Sequence, residues 1–277
     1  MVEVLRGPSQ GVRGGAPQRK GVTGVLSSGL RPSRLPLVLL PGMLCDEQLW
    51  RSTVSRLGAD RDVRCLTVSG SSVRAAVEAV LELSVPRFDL AGLSLGGIVA
   101  MHVAVQAPER IGRLALLSTN ARAPRPDQYA AWDDMQQRAL SGDLLGVARE
   151  LLPSLLSAAA QRDVDLVGTT LRMAQLTGVP DLLHQLDLQR SRTDLVSRLG
   201  EVRCPTLVIS AQDDALCPPH LHQEIAGALP VSRLETLLAC GHLSPLEQPE
   251  AVAGLLRTWL DTPLTDGAEP ARAGLTS

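Results

Sequence analysis

The sequence predicts an α/β fold, with a mostly parallel sheet of about six strands flanked by helices and an inserted helical cap. Two observations carry this prediction. Short apolar runs alternate with helical patterns along most of the chain, which is typical of right-handed βαβ units. One block, residues 121–198, contains helical patterns and no convincing strand. Since it stands between two predicted strands, we expect it to cover the carboxyl edge of the sheet, where such sheets bind ligands.

Each predicted element follows from a local pattern. The strands are short apolar runs bounded by Pro, Gly or polar residues: Leu37–Leu40, Asp62–Val68, Phe88–Leu93, Arg113–Leu117, Thr206–Ser210 and Ser232–Leu238. The helices of the core show apolar residues at helical spacing, with a Ser cap or a first-turn Pro at some starts: Ser71–Leu83, Leu95–Ala107, Pro219–Ala228 and Pro249–Leu260. The cap helices are expected around Pro126–Leu140, Leu144–Leu152, Asp163–Leu176 and Asp181–Leu188.

This pattern divides the chain into five segments. We predict a disordered leader over residues 1–34, the first part of a core over 35–120, the cap over 121–198, the second part of the core over 199–261 and a disordered tail over 262–277. The leader has no apolar run long enough for a signal peptide. Nothing before Leu35 reads as paired strands, so we expect the sheet to begin at Leu37.

The composition excludes several function classes. The chain is 44% apolar and 20% charged, with 27 basic and 29 acidic residues, so its charge gives no reason to expect a nucleic acid or anionic membrane partner. No stretch approaches the roughly 18–20 apolar residues of a membrane span. The five cysteines show neither CxxC nor zinc-site spacing, which predicts reduced thiols in a cytoplasmic protein and no metal or organic cofactor. The oligomeric state is not predictable from the sequence.

A nucleophile motif stands at Gly92-Leu93-Ser94-Leu95-Gly96, which matches G-x-S-x-G. This chemistry needs a sharp strand-to-helix turn with the serine at its tip, and glycines on either side let the backbone pass close to its neighbours. The predicted strand before Ser94 and the predicted helix after it supply that context. The alternative is a structural Gly-rich turn with a capping serine.

The oxyanion of such an enzyme needs two amide donors. The N–H of Leu95 begins a helix, where the dipole favours negative charge. The loop after the strand Leu37–Leu40 offers a second donor, the N–H of Met43, with Leu44 nearby. Taken without Ser94, that loop is an ordinary β-to-α turn.

An acid and a base follow later in the chain. Asp213 and Asp214 come directly after the strand Thr206–Ser210, where a carboxylate can accept from an imidazole Nδ1–H. Either aspartate can serve, and Asp214 is favoured because it stands four residues before Pro218. Among the histidines, only His242 leaves a strand end late in the chain. The other four are assigned to a helix interior, the cap and an exposed first helical turn: His102, His184, His220 and His222.

These pieces occur in the order serine, aspartate, histidine, and together they resemble the α/β-hydrolase superfamily. More narrowly, the chain is similar to small bacterial serine hydrolases that open with a strand ending in PGMLCD. The matching stretches are LVLLPGMLCDEQLW, FDLAGLSLGGIVAMHVAVQAPERIGRLALLST, CPTLVISAQDDALCPP and CGHLSPLEQPEAV, and they span about four-fifths of the chain. The resemblance implies the α/β-hydrolase fold, a triad of Ser94, Asp214 and His242, and oxyanion amides at Met43 and Leu95. One departure is Ser210-Ala211, where relatives commonly carry Gly before the acid.

The implied activity is hydrolysis of a small carboxylic ester, lactone or thioester, with water as the second reactant. The same triad also serves acyl transfer and C–C bond cleavage, and the fold also occurs in non-catalytic ligand-binding proteins. Scarce aromatics predict an aliphatic pocket. Its candidate residues are Met43, Leu44, Trp132, Met135, Met173 and Leu176.

Two further groups of residues are candidates near the site. Arg122 and Arg125 open the cap and stand where a substrate carboxylate could be met, although exposed loop charges are the commoner explanation. Cys45, Cys217 and Cys240 each lie beside a catalytic loop. If they converge there, the enzyme should be sensitive to thiol reagents.

Overall fold

The structure is a computed structural model that describes residues 34–58, 61–68 and 70–264. The leader predicted over residues 1–34 lies outside the described residues except for Arg34, and the tail predicted over 262–277 does so except for its first three residues. Both therefore stay predictions. Among the described residues, the first strand of the sheet begins at Leu37.

Strands and helices alternate along the described chain. The strands are β1 Leu37–Leu40, β2 Val63–Cys65, β3 Phe88–Leu93, β4 Ile111–Leu117, β5 Thr206–Ala211 and β6 Ser232–Leu237. The helices that flank the sheet are α1 Gln48–Val54, α2 Val73–Leu81, α3 Leu95–Gln106, α7 Pro219–Ala228, α8 Ser244–Glu247 and α9 Pro249–Leu260. Between β4 and β5 lie three longer helices, α4 Pro126–Leu140, α5 Leu144–Leu155 and α6 Val164–Ser191, which we call the insertion.

The six strands form one sheet in the order β2-β1-β3-β4-β5-β6, and every neighbouring pair is parallel. The strand β3 therefore has two strands on one side and three on the other. Because all strands run the same way, the loops that leave their carboxyl ends gather at one edge of the sheet. The loops after β1, β3, β5 and β6 carry the residues predicted for the active site.

Apolar side chains fill both faces of the sheet. On one face Val38 and Leu40 of β1 pack with helices α2 and α3. On the other face Leu37 and Leu39 pack with Trp50 of α1 and with α9. This alternation is the period of two expected of a strand buried on both sides. The resulting core leaves no freedom for the strand ends to shift, which fixes the positions of the loops.

Two separate helices were expected around 163–176 and 181–188 of the insertion. The span α6 has two helical parts that meet at a kink, where Gly178 has non-helical angles (φ 73°, ψ 175°). Pro180 follows the bend and has no N–H to donate. The bend redirects the second half of α6, whose Leu182 and Leu186 then pack with Trp132 of α4.

The remaining elements agree with the sequence to within a few residues, apart from the short helices α1 and α8, which the sequence did not predict. Among the described residues, no helix is both long and apolar enough to cross a membrane.

Candidate active site

Ser94 lies at the tip of a sharp turn between β3 and α3. Its backbone has φ 54° and ψ −114°, a conformation that a non-glycine residue rarely adopts. The turn is fixed by backbone hydrogen bonds, since the Ser94 N–H donates to Leu117 O (3.0 Å) and Ile98 N–H donates to Ser94 O (3.0 Å). Such a strained serine is what the G-x-S-x-G motif predicts.

Two glycines make this turn possible. A Cβ on Gly92 would overlap the carbonyl group of Gly96, and a Cβ on Gly96 would overlap the carbonyl oxygen of Leu40 in β1. Any side chain at either position would force α3 away from the sheet. The glycines of the motif are therefore required by close backbone packing rather than by their own dihedral angles.

A buried polar network supports the turn from behind. The Thr119 hydroxyl donates to Ser94 O (2.8 Å), and the Thr119 N–H donates to Nε2 of His222 (3.0 Å). His222 is completely buried, which contradicts the expectation that it is exposed in the first turn of α7. His220, two residues earlier, is exposed as expected.

Asp214 and His242 are in contact. His242 Nδ1 lies 2.9 Å from both carboxylate oxygens of Asp214, and the two side chains are buried. Oδ1 of Asp214 also accepts from the N–H groups of Leu216 (2.9 Å) and Cys217 (2.8 Å), which fixes the carboxylate in the loop after β5. An ionised carboxylate only accepts hydrogen bonds, so the Nδ1 of His242 carries the proton and Nε2 is left as an acceptor.

Burial alone would raise the pKa of the Asp214 carboxyl group. The charge and hydrogen bond of His242, together with the N–H of Cys217, outweigh that effect and hold its pKa below the usual value. Asp214 therefore stays ionised at neutral pH. Asp213, the other candidate, is exposed, and its own N–H donates to Cys240 O (2.9 Å). The contact with His242 is made by Asp214.

The loop after β1 reaches the same edge of the sheet. Leu44 has a positive φ of 57°, and its N–H donates to Oε1 of the buried Gln185 in α6 (2.9 Å). The amide of Leu44 is thus engaged by the insertion, whereas the side chain of Met43 lines the cavity beside Ser94. Leu95 is the first residue of α3, where an N–H has no acceptor within its own helix.

Ser94 and His242 line one cavity of about 120 Å³ beneath the insertion. Of the six residues predicted for the pocket, four line it: Met43, Leu44, Trp132 and Met135. The other two do not. Met173 is fully buried in the core, and Leu176 is 66% exposed in the turn before the bend at Gly178. The prediction failed there because the bend brings residues from beyond it, such as Gln189, to the cavity instead.

The chain has known relatives. Residues 37–255 match the sequence profile of the Alpha/beta hydrolase family. This chain belongs to the α/β-hydrolase family.

Two curated relatives of this α/β-hydrolase are pimeloyl-[acyl-carrier protein] methyl ester esterases. The one from Aromatoleum aromaticum is 30% identical over 254 residues, 81% of this chain and 97% of the relative. The one from Nitrosomonas europaea is 30% identical over 239 residues, 77% of this chain and 91% of the relative. Among solved structures, a malate-bound thermophilic esterase from Thermogutta terrifontis is 26% identical, with a TM-score of 0.73 over 82% of this chain and 89% of that one.

The two arginines predicted as possible contacts for a substrate carboxylate do not line the cavity of this α/β-hydrolase. Arg122 is exposed and pairs with Glu224, and Arg125 is exposed and pairs with Asp127. Both arginines are therefore exposed charges, which the sequence analysis gave as the commoner explanation for them. The arginine that does line the cavity is Arg192, which follows α6.

The three cysteines near the catalytic loops converge only in part. Cys45 and Cys217 line the cavity, whereas Cys240 is buried outside it. Burial raises the pKa of each of these three thiols to about 12, so the reactive thiolate is scarce at neutral pH. The expected sensitivity to thiol reagents is therefore not supported. All five cysteines of this α/β-hydrolase are free.

Glu247 connects the loop of His242 to the insertion, a contact that the sequence did not reveal. Its carboxylate accepts from the Gly241 N–H (3.1 Å), next to His242, and from the Ser157 N–H in the insertion (3.3 Å). Only glycine fits at position 241, because a Cβ there would lie 2.5 Å from the Ser157 nitrogen. The glycine before His242 indicates close packing at position 241. The sequence does not show that Glu247 accepts the hydrogen bond from its N–H group. Among the described residues, no group of three His, Cys, Asp or Glu side chains could hold a metal ion.

Proposed function

We propose that this α/β-hydrolase cleaves a small carboxylic ester, lactone or thioester through an acyl-enzyme at Ser94. The observation that supports this most strongly is the buried contact of Asp214 with His242 Nδ1 in a cavity that also exposes the strained Ser94. The two methyl ester esterases among its relatives support ester chemistry in general.

In the first step, Ser94 Oγ attacks the acyl carbonyl carbon as His242 Nε2 takes the hydroxyl proton. A serine hydroxyl is a weak nucleophile at neutral pH, so this proton transfer is essential. Asp214 stabilises the imidazolium that forms and keeps its orientation. The low pKa of Asp214 suits this role because the acid must stay charged throughout.

The tetrahedral oxyanion is held by the N–H groups of Met43 and Leu95. Leu95 contributes the positive end of the α3 dipole, and Met43 lies in the loop that Gln185 holds through Leu44. His242 then returns the proton to the leaving alcohol or thiol. In the second half, His242 takes a proton from water, the hydroxide adds to the acyl carbon, and Ser94 leaves with that proton as the free acid departs.

The cavity limits the size of the acyl group. Its volume is about 120 Å³, and an engineered protein cavity of about 150 Å³ binds benzene. The substrate portion that is enclosed is therefore about as large as a short aliphatic chain.

Replacing Ser94 tests the nucleophile. We expect Ser94→Ala to lower kcat for a short p-nitrophenyl ester by about 10,000-fold or more, because only binding and oxyanion stabilisation remain. Ser141→Ala, on the exposed end of α4, is the matched control and should keep full activity. Undiminished turnover by Ser94→Ala would refute the assignment. Release of one acid per ester in buffer without an added acceptor distinguishes hydrolysis from acyl transfer.

A second pair of variants tests the acid. Asp214→Asn should lower kcat by about 10,000-fold, because an amide favours the wrong tautomer of the imidazole. Asp213→Asn, one residue earlier and exposed, should stay within about threefold of the unmodified enzyme, since a solvated side chain contributes little. Equal losses in the two variants would contradict the role of Asp214.

A further inference from the structure

A positive charge is buried in the wall of the cavity with neutral partners. Arg192 is only 6% exposed, and it lines the cavity together with Ser94 and His242. Its two terminal nitrogens donate to Gln189 Oε1 (2.8 Å) and Gln128 Oε1 (2.9 Å). Both of these oxygens belong to uncharged amides, so neither one neutralises the guanidinium group.

The carboxylates of Glu224, Asp127 and Asp194 have other partners. Glu224 pairs with Arg122, Asp127 pairs with Arg125, and Asp194 accepts from the Val196 N–H. Arg192 and Asp194 thus have separate partners. Within the described parts of the chain, no carboxylate forms an ion pair with Arg192.

This arrangement is costly to the folded protein. Burial lowers the pKa of Arg192 from its ordinary value, although an arginine remains charged at neutral pH. Its Nε is buried and has no hydrogen-bond partner among the described residues. Buried charges in proteins are normally paired, and an unsatisfied donor adds a further penalty. An unpaired charge of this kind is expected where a ligand supplies the counter-charge.

The guanidinium group is also held in a fixed plane. The Cζ of Arg192 lies 5.6 Å from the centroid of the Trp132 ring, and the two glutamine amides hold its terminal nitrogens. Trp132, Gln128 and Gln189 all line the same cavity. A fixed, planar, multidentate donor suits a planar carboxylate, because little side-chain freedom is lost on binding.

We propose that the substrate carries an ionised carboxylate in addition to its scissile acyl bond, and that Arg192 binds this carboxylate. The inference rests on the proposed function, since it names the substrate class of the same site. It points to the half-ester of a short dicarboxylic acid, or to a small lactone or thioester that bears a carboxylate. The limited cavity favours a chain of only a few carbons between the two groups.

Matched esters test the proposal directly. Monomethyl succinate, glutarate and adipate are compared with the methyl esters of butyrate, pentanoate and hexanoate, in which a methyl group replaces the carboxylate. We expect one half-ester to be preferred by about 10–100-fold in kcat/KM, the usual effect of a charge-assisted hydrogen bond. A series without any preference for the charged member would overturn the proposal.

Variants assign the preference to one side chain. Arg192→Met should abolish the preference, so that the ratio of kcat/KM for each half-ester to kcat/KM for its matched neutral ester falls to about one. Arg192→Lys keeps the charge without the planar fork and should retain part of the preference. Arg122→Met removes the same charge outside the cavity and should leave the preference intact. A preference that persists in Arg192→Met would overturn the assignment.

A binding experiment separates this inference from the proposed function. Succinate and glutarate should raise the Tm of the wild-type protein, because a ligand that binds only the folded state stabilises it. Butyramide, which has no carboxylate, should have no effect, and Arg192→Met should not respond to the dicarboxylates. If these shifts occur but no ester is hydrolysed, carboxylate binding holds and ester hydrolysis fails. If hydrolysis of neutral esters occurs without shifts, only the carboxylate proposal fails.

Inorganic phosphate serves as the probe for a general anion site. A Tm increase with phosphate equal to that with succinate, again lost in Arg192→Met, would overturn the assignment to a carboxylate. If Arg192→Met does not fold, the comparison of wild type with Arg192→Lys and the paired esters still decides the question. The far-UV circular dichroism spectrum checks folding in every variant.

Discussion

His222 illustrates how a single buried side chain holds the catalytic turn. Its Nε2 accepts from the Thr119 N–H, and Thr119 in turn donates its hydroxyl to the carbonyl of Ser94. Burial lowers the pKa of His222 to about 4, so the ring is neutral near pH 7 and can act as an acceptor. Protonation would convert this acceptor into a donor that faces another donor.

This pKa shift predicts a pH dependence of stability. The pKa of histidine is about 6.5 in the unfolded chain and about 4 in the folded protein, so the unfolded chain binds the extra proton between these values. Stability is therefore complete above pH 6.5 and falls by roughly 3 kcal/mol as the pH drops to about 4. In urea unfolding at pH 7.5 and pH 4.5, His222→Gln should lose less stability on acidification than wild type.

The control is His220→Gln, which changes an exposed histidine on the same helix. It should lose as much stability on acidification as the wild-type protein does. An equal loss in His222→Gln and wild type would contradict the burial argument.

Single residues were predictable where their chemistry depends on a local pattern. Ser94 sits in a motif, and Asp214 and His242 follow strands in a recognisable order, so the sequence pointed to all three. The positions of Arg192 and Gln185 in the site could not be recognised, because they depend on contacts with Gln128 and Leu44, which are far away in the chain. Gln185 and Leu44 are hydrogen-bonded although they are 141 residues apart in the sequence, and local periodicity does not predict contacts of this range.

The bend in α6 is the clearest example at the scale of one element. Its apolar spacing is helical on both sides of Gly178, which explains why two helices were expected. Gly178 has φ 73° and ψ 175°, a region of the backbone map essentially restricted to glycine. Glycine therefore allows the two helical parts of α6 to meet at this kink without backbone strain.

Two glycines in this helix give a matched pair of variants. Gly178→Ala should lower the free energy of unfolding by about 1–3 kcal/mol, because alanine is strained in that conformation. Its Cβ would meet nothing closer than Pro180 at 3.8 Å, so a clash contributes nothing. Gly168→Ala, in regular helix with open space around it, should instead raise stability by up to about 1 kcal/mol. Denaturant unfolding measures both, and effects of the same sign would contradict the explanation.

Most element boundaries followed from local sequence signals. The strand β3 and helix α7 match their predicted limits because Pro, Gly and the elbow mark their ends. The helix α1 was missed because it spans only seven residues, too few to establish a period. A helix this short is stabilised mainly by tertiary packing and only weakly by its intrinsic helix propensity. In α1, Trp50 provides that packing against the core.

At the scale of the whole molecule, the two apolar layers that cover the sheet also bury the cysteine thiols and lower their reactivity. Burial raises the pKa of Cys65 to about 12 and that of Cys204 to about 11, as it does for the three thiols near the site. The sequence predicted reduced cysteines but not their protection, because their burial depends on tertiary packing. The parallel sheet itself was predictable, since strand and helix patterns alternate.

Alkylation tests this protection. The native protein treated with iodoacetamide at pH 7.5 should keep its activity and its mass, because only about one thiol in 30,000 is ionised when the pKa is near 12. In urea, all five cysteines should react, and intact-mass spectrometry counts the added groups. Rapid inactivation with a label on Cys45 or Cys217 would show that the cavity admits the reagent and that the thiols are more acidic than burial implies.

The carboxylate of Glu247 has a consequence for protein engineering. The Glu247 side chain accepts hydrogen bonds from the Gly241 N–H, beside His242, and from the Ser157 N–H. If either of these segments is replaced by that of a homologue, the other must therefore be replaced with it. A chimera that receives its insertion from another α/β-hydrolase must present a backbone amide where Ser157 now stands. Without that amide, Glu247 loses its contact with the insertion, and the loop that bears His242 is held less firmly even though Ser94, Asp214 and His242 are retained.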